Sequence, residues 1–147
     1  MISITNLTAN RIEEDFFKKI NQMILGEEKQ KGEISVVLVG SGIMRKLNKQ
    51  YRKRNKVTDV LSFESTQWPE FVIPLGKEKE LGEVVICLRE VKKNAKKTNS
   101  EFREELATVF IHSLLHLLGY DHEKTDKQAK TMMEKQNYYL KKWQSLT

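Results

Sequence analysis

All three histidines of this chain fall within eleven residues, His112-Ser113-Leu114-Leu115-His116-Leu117-Leu118-Gly119-Tyr120-Asp121-His122. The segment before Gly119, from Leu106 to Leu118, is almost wholly apolar and predicts a buried helix. On a helix, His112 and His116 share one face about one turn, or ~6 Å, apart along the axis. Two imidazoles so placed can converge on one metal ion. Gly119 can end the helix in a left-handed conformation without steric cost. The chain can then turn back and bring His122 to the same ion. Three neutral nitrogen ligands with a position left open describe a catalytic rather than a structural zinc site. The alternative is that one or more of these histidines is an ordinary buried side chain. For a lone histidine that reading would stand; three at this spacing, with a glycine at the turn, favour the metal.

The spacing HxxxHxxGxxH also matches the metzincin zinc proteases, which carry Glu directly after the first histidine as general base. Here that position is Ser113, and a serine cannot accept a proton near neutral pH as a carboxylate can. The metal cage survives and the proteolytic base does not. HSLLHLLGYDH closely resembles the HGxLHLxGYDH signature of the YbeY family, bacterial single-domain metal-dependent endoribonucleases of ribosomal RNA maturation. Ser113 stands where the family usually has Gly, and all three ligands are kept.

A second stretch carries the same resemblance. Leu47-Asn48-Lys49-Gln50-Tyr51-Arg52, a basic turn, and Thr58-Asp59-Val60-Leu61-Ser62-Phe63 are similar to the family's LNxxYR and TDVLSF elements. Asn55 and Val57 replace the usual Asp and Pro of the turn. The resemblance implies that Arg52 is the family's functionally important arginine. Its chemistry agrees: a guanidinium is permanently charged and forks onto phosphate oxygens, so it can bind the scissile phosphate or the charge developing on it. Taken alone, Arg52 would read as a surface salt bridge. Leu81-Gly82-Glu83-Val84-Val85-Ile86 resembles the family's LGDIVI segment. Glu83 reads either as a partner orienting an imidazole or, more simply, as a charge at a strand start.

The elements that must position these residues follow from periodicity. Ile2 to Leu7 alternates and predicts a strand. Asn10 with Glu13 forms a capping-box pattern for a helix to about Leu25. Ile34 to Val39 is β-branched and strand-like. After Gly40-Ser41-Gly42 a short helix runs to about Tyr51, with Ile43, Leu47 and Tyr51 expected to face the core. Val57 to Phe63 predicts a third strand whose imperfect alternation suits an edge or a site. Glu64 to Leu81 shows no clear periodicity and is either a lid over the site or a surface excursion. Leu81 to Leu88 is a fourth strand and Arg89 to Lys97 a lysine-rich helix. Thr98 with Glu101 is expected to cap the histidine helix, and Thr125 with Gln128 a last helix. In that last helix Ala129, Met132, Met133, Gln136, Tyr139, Leu140 and Trp143 form a stripe read as core packing. The order predicts one α+β domain over residues 1–147: a small mixed four-stranded sheet with about five helices and a zincin-like metal site on a central helix.

Composition narrows the partner. Net charge is +6, which favours an anionic partner, nucleic acid ahead of a membrane surface. From Ile34 to Thr58 there are seven Lys or Arg and no Asp or Glu. Solvated faces usually mix signs, so this stretch favours phosphate binding. Lys92, Lys93, Lys96 and Lys97 offer a second contact for RNA. No apolar run approaches the ~20 residues that cross a bilayer. The N-terminus lacks a basic region followed by an apolar one, and the single cysteine, Cys87, cannot form an internal disulfide. These features favour the cytoplasm.

The expected activity is therefore a metal-dependent endoribonuclease with one zinc per chain, or another divalent metal. Zinc lowers the pKa of bound water from 15.7 to roughly 7, so that water serves as the nucleophile. Asp121 is one candidate for its proton, with a helix-capping or ligand-orienting role as the alternative. The resemblance further implies single-strand specificity, processing of 16S rRNA near its 3′ end, 70S ribosome quality control and partnership with the ribosomal small subunit. No membrane or DNA partner is expected. Two rivals stand beside this reading: a metallohydrolase of another substrate, and a ribosome-associated RNA-binding assembly factor with structural zinc.

Overall fold

The computed structural model describes residues 2–64, 80–121, 123 and 125–147. The elements run β1 (Ile2–Asn6), α1 (Glu14–Glu27), β2 (Glu33–Leu38), α2 (Ser41–Arg52), β3 (Val60–Glu64), β4 (Glu80–Ile86), α3 (Leu88–Lys97), α4 (Phe102–Leu117) and α5 (Asp126–Leu146). This is the predicted α+β order. The four strands form one sheet in the order β1-β2-β4-β3. β1 and β4 both run parallel to β2, and β3 closes the sheet antiparallel to β4.

The two middle strands explain the arrangement. β2 and β4 are rich in Val and Ile on both faces, and such strands are stable only when both faces are covered. One face, carrying Ile34, Val36, Leu38, Val84 and Ile86, packs against α1, α4 and α5 in the larger core. Edge-to-face aromatic contacts of Phe17 with Phe110, and of Phe16 with Phe17 and Trp143, tie those helices together. The other face, carrying Val37, Val85, Leu61 and Phe63, packs against Met44 and Leu47 of α2 in a smaller core. α4 lies against the sheet, α1, α3 and α5, which makes the histidine helix central.

Gly82 sets how closely α4 can approach. Its φ is +151°, and a Cβ there would meet the Phe63 carbonyl oxygen at 2.4 Å and Leu117 Cδ2 at 2.8 Å. Only glycine lets the last turn of α4 sit on the β3–β4 seam.

Four local expectations change. Ile43 is 39% exposed, and α2 instead buries Met44, Leu47 and Asn48. The stripe is rotated because Asn48 turns inward to hold the next loop. Asn10 does not cap α1; Glu13 occupies that position without a side-chain cap. Thr98 ends α3 rather than opening α4, its hydroxyl donating to the Asn94 carbonyl. Of the predicted loop from Glu64 to Leu81, the end residues belong to β3 and β4, and residues 65–79 lie outside the described residues. Thr125 does cap α5, accepting from the Gln128 N–H at 3.0 Å.

Candidate active site

α4 ends as the sequence requires. The Tyr120 N–H reaches the Leu115 carbonyl and the Gly119 N–H the His116 carbonyl, each at 3.1 Å. Gly119 has φ +104°. This paired cap uses a left-handed residue to satisfy the last carbonyls and turns the chain out of the helix. His112 and His116 are half-buried on the preceding turns. Both open into one cleft of about 820 Å³.

Across that cleft lies the edge of the sheet. Arg52, the last residue of α2, lines it together with Arg54, Lys56, Ser62 and Glu64. Asn48 holds this wall in shape: its side-chain amide donates to the Lys56 carbonyl at 3.0 Å, and its own carbonyl accepts from the Arg54 N–H at 3.2 Å. The left-handed Lys53 (φ 60°) ends α2 between them. Arg52 Nη2 donates to the Ser62 carbonyl at 2.6 Å, and its guanidinium lies 5.0 Å above the Phe63 ring. Tyr51 packs edge-to-face on the same ring at 5.4 Å. The arginine is thus aimed by an edge-strand carbonyl and an aromatic face. A guanidinium carries five N–H donors, so most remain for an anion in the cleft.

His112 is held from behind. Its Nδ1 lies 2.7 Å from Gln136 Oε1 on α5. An amide oxygen only accepts, so Nδ1 carries the proton and Nε2 is left as the ligand-forming nitrogen. That is the arrangement that orients a metal-binding imidazole. The sequence pattern alone reads Gln136 as core packing. The usable signal was a polar residue within an otherwise apolar stripe. The donor set fits zinc: two imidazoles from one helix face, one of them with its Nδ1 against Gln136. The third expected ligand, His122, lies outside the described residues. Among the described residues no group of three His, Cys, Asp or Glu side chains meets as a metal site.

Two neighbouring residues resolve locally. Ser113 is buried and its hydroxyl donates to the Val109 carbonyl at 2.9 Å. This folded-back hydroxyl takes the place where the resemblance has glycine. Asp121 lines the cleft, and its Oδ1 accepts the Glu123 N–H at 2.8 Å.

Glu83 fits neither reading drawn from the sequence. It pairs across the sheet with Phe63 and shares the face of Val85, against α2, so it is not beneath the histidines. It is fully buried, with neither oxygen hydrogen-bonded among the described residues. Burial pushes its carboxyl up to about 8, so it stays protonated at neutral pH. The exposed lysines of α3 are not among the residues that line the cleft.

Comparison with known proteins meets this geometry. The sequence matches the family description Endoribonuclease YbeY over residues 3–144. The chain belongs to the YbeY family of endoribonucleases. Endoribonuclease YbeY of Thermotoga maritima is 36% identical over 134 residues, 90% of this chain and 81% of that protein. The Aquifex aeolicus YbeY is 40% identical over 114 residues, 75% of this chain and 69% of that protein. The solution structure of TM1509 from Thermotoga maritima aligns with a TM-score of 0.67 at 34% identity, covering 99% of this chain and 93% of that one. Both YbeY signatures read from the sequence, at Arg52 and at His112 and His116, border the one cleft. No helix among the described residues is long and apolar enough to cross a membrane.

Proposed function

We propose that this chain is a single-strand-specific, metal-dependent endoribonuclease with one zinc ion held by His112, His116 and His122. The observation that carries the reading is a single cleft with two imidazoles one turn apart on one wall and Arg52 on the other. Bound there, zinc supplies Lewis acidity that makes hydroxide available near neutral pH. Gln136 keeps the His112 proton on Nδ1. Arg52 grips the scissile phosphate and stabilises charge developing on its oxygens. Arg54 and Lys56, exposed on the same wall, hold neighbouring phosphates without reading sequence. The substrate in the cell is 16S rRNA near its 3′ end, on or beside the ribosomal small subunit in the cytoplasm, with a part in 70S ribosome quality control.

The test is cleavage of a single-stranded RNA carrying the 3′ region of 16S rRNA. Purified protein cuts it, and chelation or His116→Ala abolishes the cut while circular dichroism shows the fold retained. RNA that binds tightly yet is never cut at any zinc loading replaces this reading with that of an assembly factor.

A further inference from the structure

α1 breaks a local rule at its C-terminus. Its last turn has no basic residue, and Glu27 and Glu28 sit where the helix dipole disfavours negative charge. A local preference broken in this way points to a compensating long-range role. Both carboxylates are met from α5: Glu27 by Tyr138 and Lys142, Glu28 by Lys135 at 3.0 Å and by Tyr139. Glu28 differs in taking a third partner, the Tyr120 hydroxyl at 2.6 Å. Its side chain is only 11% exposed. Burial opposes its charge, yet the hydrogen bonds from Tyr120, Tyr139 and Lys135 outweigh that and hold the carboxyl below its ordinary value.

Tyr120 lies in the turn after α4, and Lys135 and Tyr139 lie on α5. Tyr120 is the first residue past the glycine cap of α4 and directly precedes Asp121, which lines the cleft. Lys135 and Tyr139 bracket Gln136 on α5, the residue bonded to His112 Nδ1.

We propose that Glu28 is a positioning residue, whose carboxylate clamps the turn after α4 and the α5 face carrying Gln136, and so sets the geometry of the metal ligands. The inference rests on the zinc site proposed above. It assigns to the end of α1 a control over metal affinity that its sequence position, more than eighty residues before the first histidine, does not suggest.

The test uses zinc itself, with affinity measured by chelator competition on full-length wild type, Glu28→Gln, Tyr120→Phe and Lys142→Met. Melting is followed with and without zinc. Glu28→Gln and Tyr120→Phe should each bind zinc about tenfold or more weakly, as loss of a ligand-orienting partner does. The rise in melting temperature on adding zinc should shrink with them. Lys142→Met removes one of the two Glu27 contacts on the same seam and should keep wild-type affinity. A merely structural role lowers the metal-free and zinc-loaded melting temperatures equally and leaves affinity alone. That result overturns the inference, as does a Tyr120→Phe protein that binds zinc as wild type does. If Glu28→Gln does not fold, Tyr120→Phe, which keeps the ring, decides. A wild type that takes up no zinc overturns this inference and the proposed function together; wild-type binding with unaffected variants overturns the inference alone.

Discussion

The two walls of the cleft are built on opposite principles. The histidine wall is the surface of a helix that is core on nearly every other side, with Leu106, Phe110, Ile111, Leu114 and Leu115 buried. Its imidazoles inherit their placement from packing, and one is locked by Gln136. The arginine wall is an edge strand and a basic turn, and Arg52 is exposed there. Its aim comes from two carbonyls, of Ser62 and Tyr51, one ring and the loop that Asn48 holds. A metal ligand must be rigid before the ion arrives, because fixed geometry is what a coordination site requires. A phosphate-binding side chain must meet a flexible polyanion, and an exposed fork on a short tether suits that task.

The largest effect is expected from breaking the arginine wall alone. Arg52→Ala should lower kcat for RNA cleavage by about 10²–10³-fold, the typical loss of one preorganised donor to developing charge. Zinc content should be unchanged. Steady-state kinetics with metal analysis on the same sample checks it; loss of zinc in the variant would show that the two walls are not independent. The converse change comes next. Gln136→Ala should weaken zinc binding by about 10–100-fold and leave RNA affinity, measured with zinc saturating, as in wild type. Equal zinc affinity would mean that packing alone orients His112.

How far the walls were legible in the sequence follows the same division. The histidine wall is local: a 3.6-residue period, two histidines one turn apart and a glycine cap are written within a dozen consecutive residues. The order of the nine elements among the described residues was legible for the same reason, since alternation and helical period differ sharply. What could not be read depends on distant partners. Gln136 looks like a stripe position until α5 is laid against α4. Ile43 looks like core until Asn48 is seen turning inward. The Glu28 clamp joins residues 92 to 111 positions apart, which no local pattern encodes. Glu83 carries the charge expected of a strand start, and only the sheet's second covered face shows it to be buried.

That second face gives the smallest effect, a sharpening of the contrast from behind the arginine wall. Folded Glu83 titrates at about 8, against 4.5 for the ordinary carboxyl. Between these values the folded protein keeps a proton that the unfolded chain has released, so stability falls as pH rises. The slope from this group is about 1.4 kcal/mol per pH unit at most. Glu83→Gln should match wild type near pH 4.5 and exceed it increasingly towards pH 8, as urea unfolding at several pH values would show. Parallel profiles for the two proteins would mean that Glu83 ionises freely in the folded state.

The direct measurement of the central claim is zinc per chain, by elemental analysis of protein purified without added ions, for wild type beside the His112→Ala/His116→Ala double variant. The account predicts one zinc ion per wild-type chain and none in a double variant that remains folded. Full zinc loading in the double variant would contradict it.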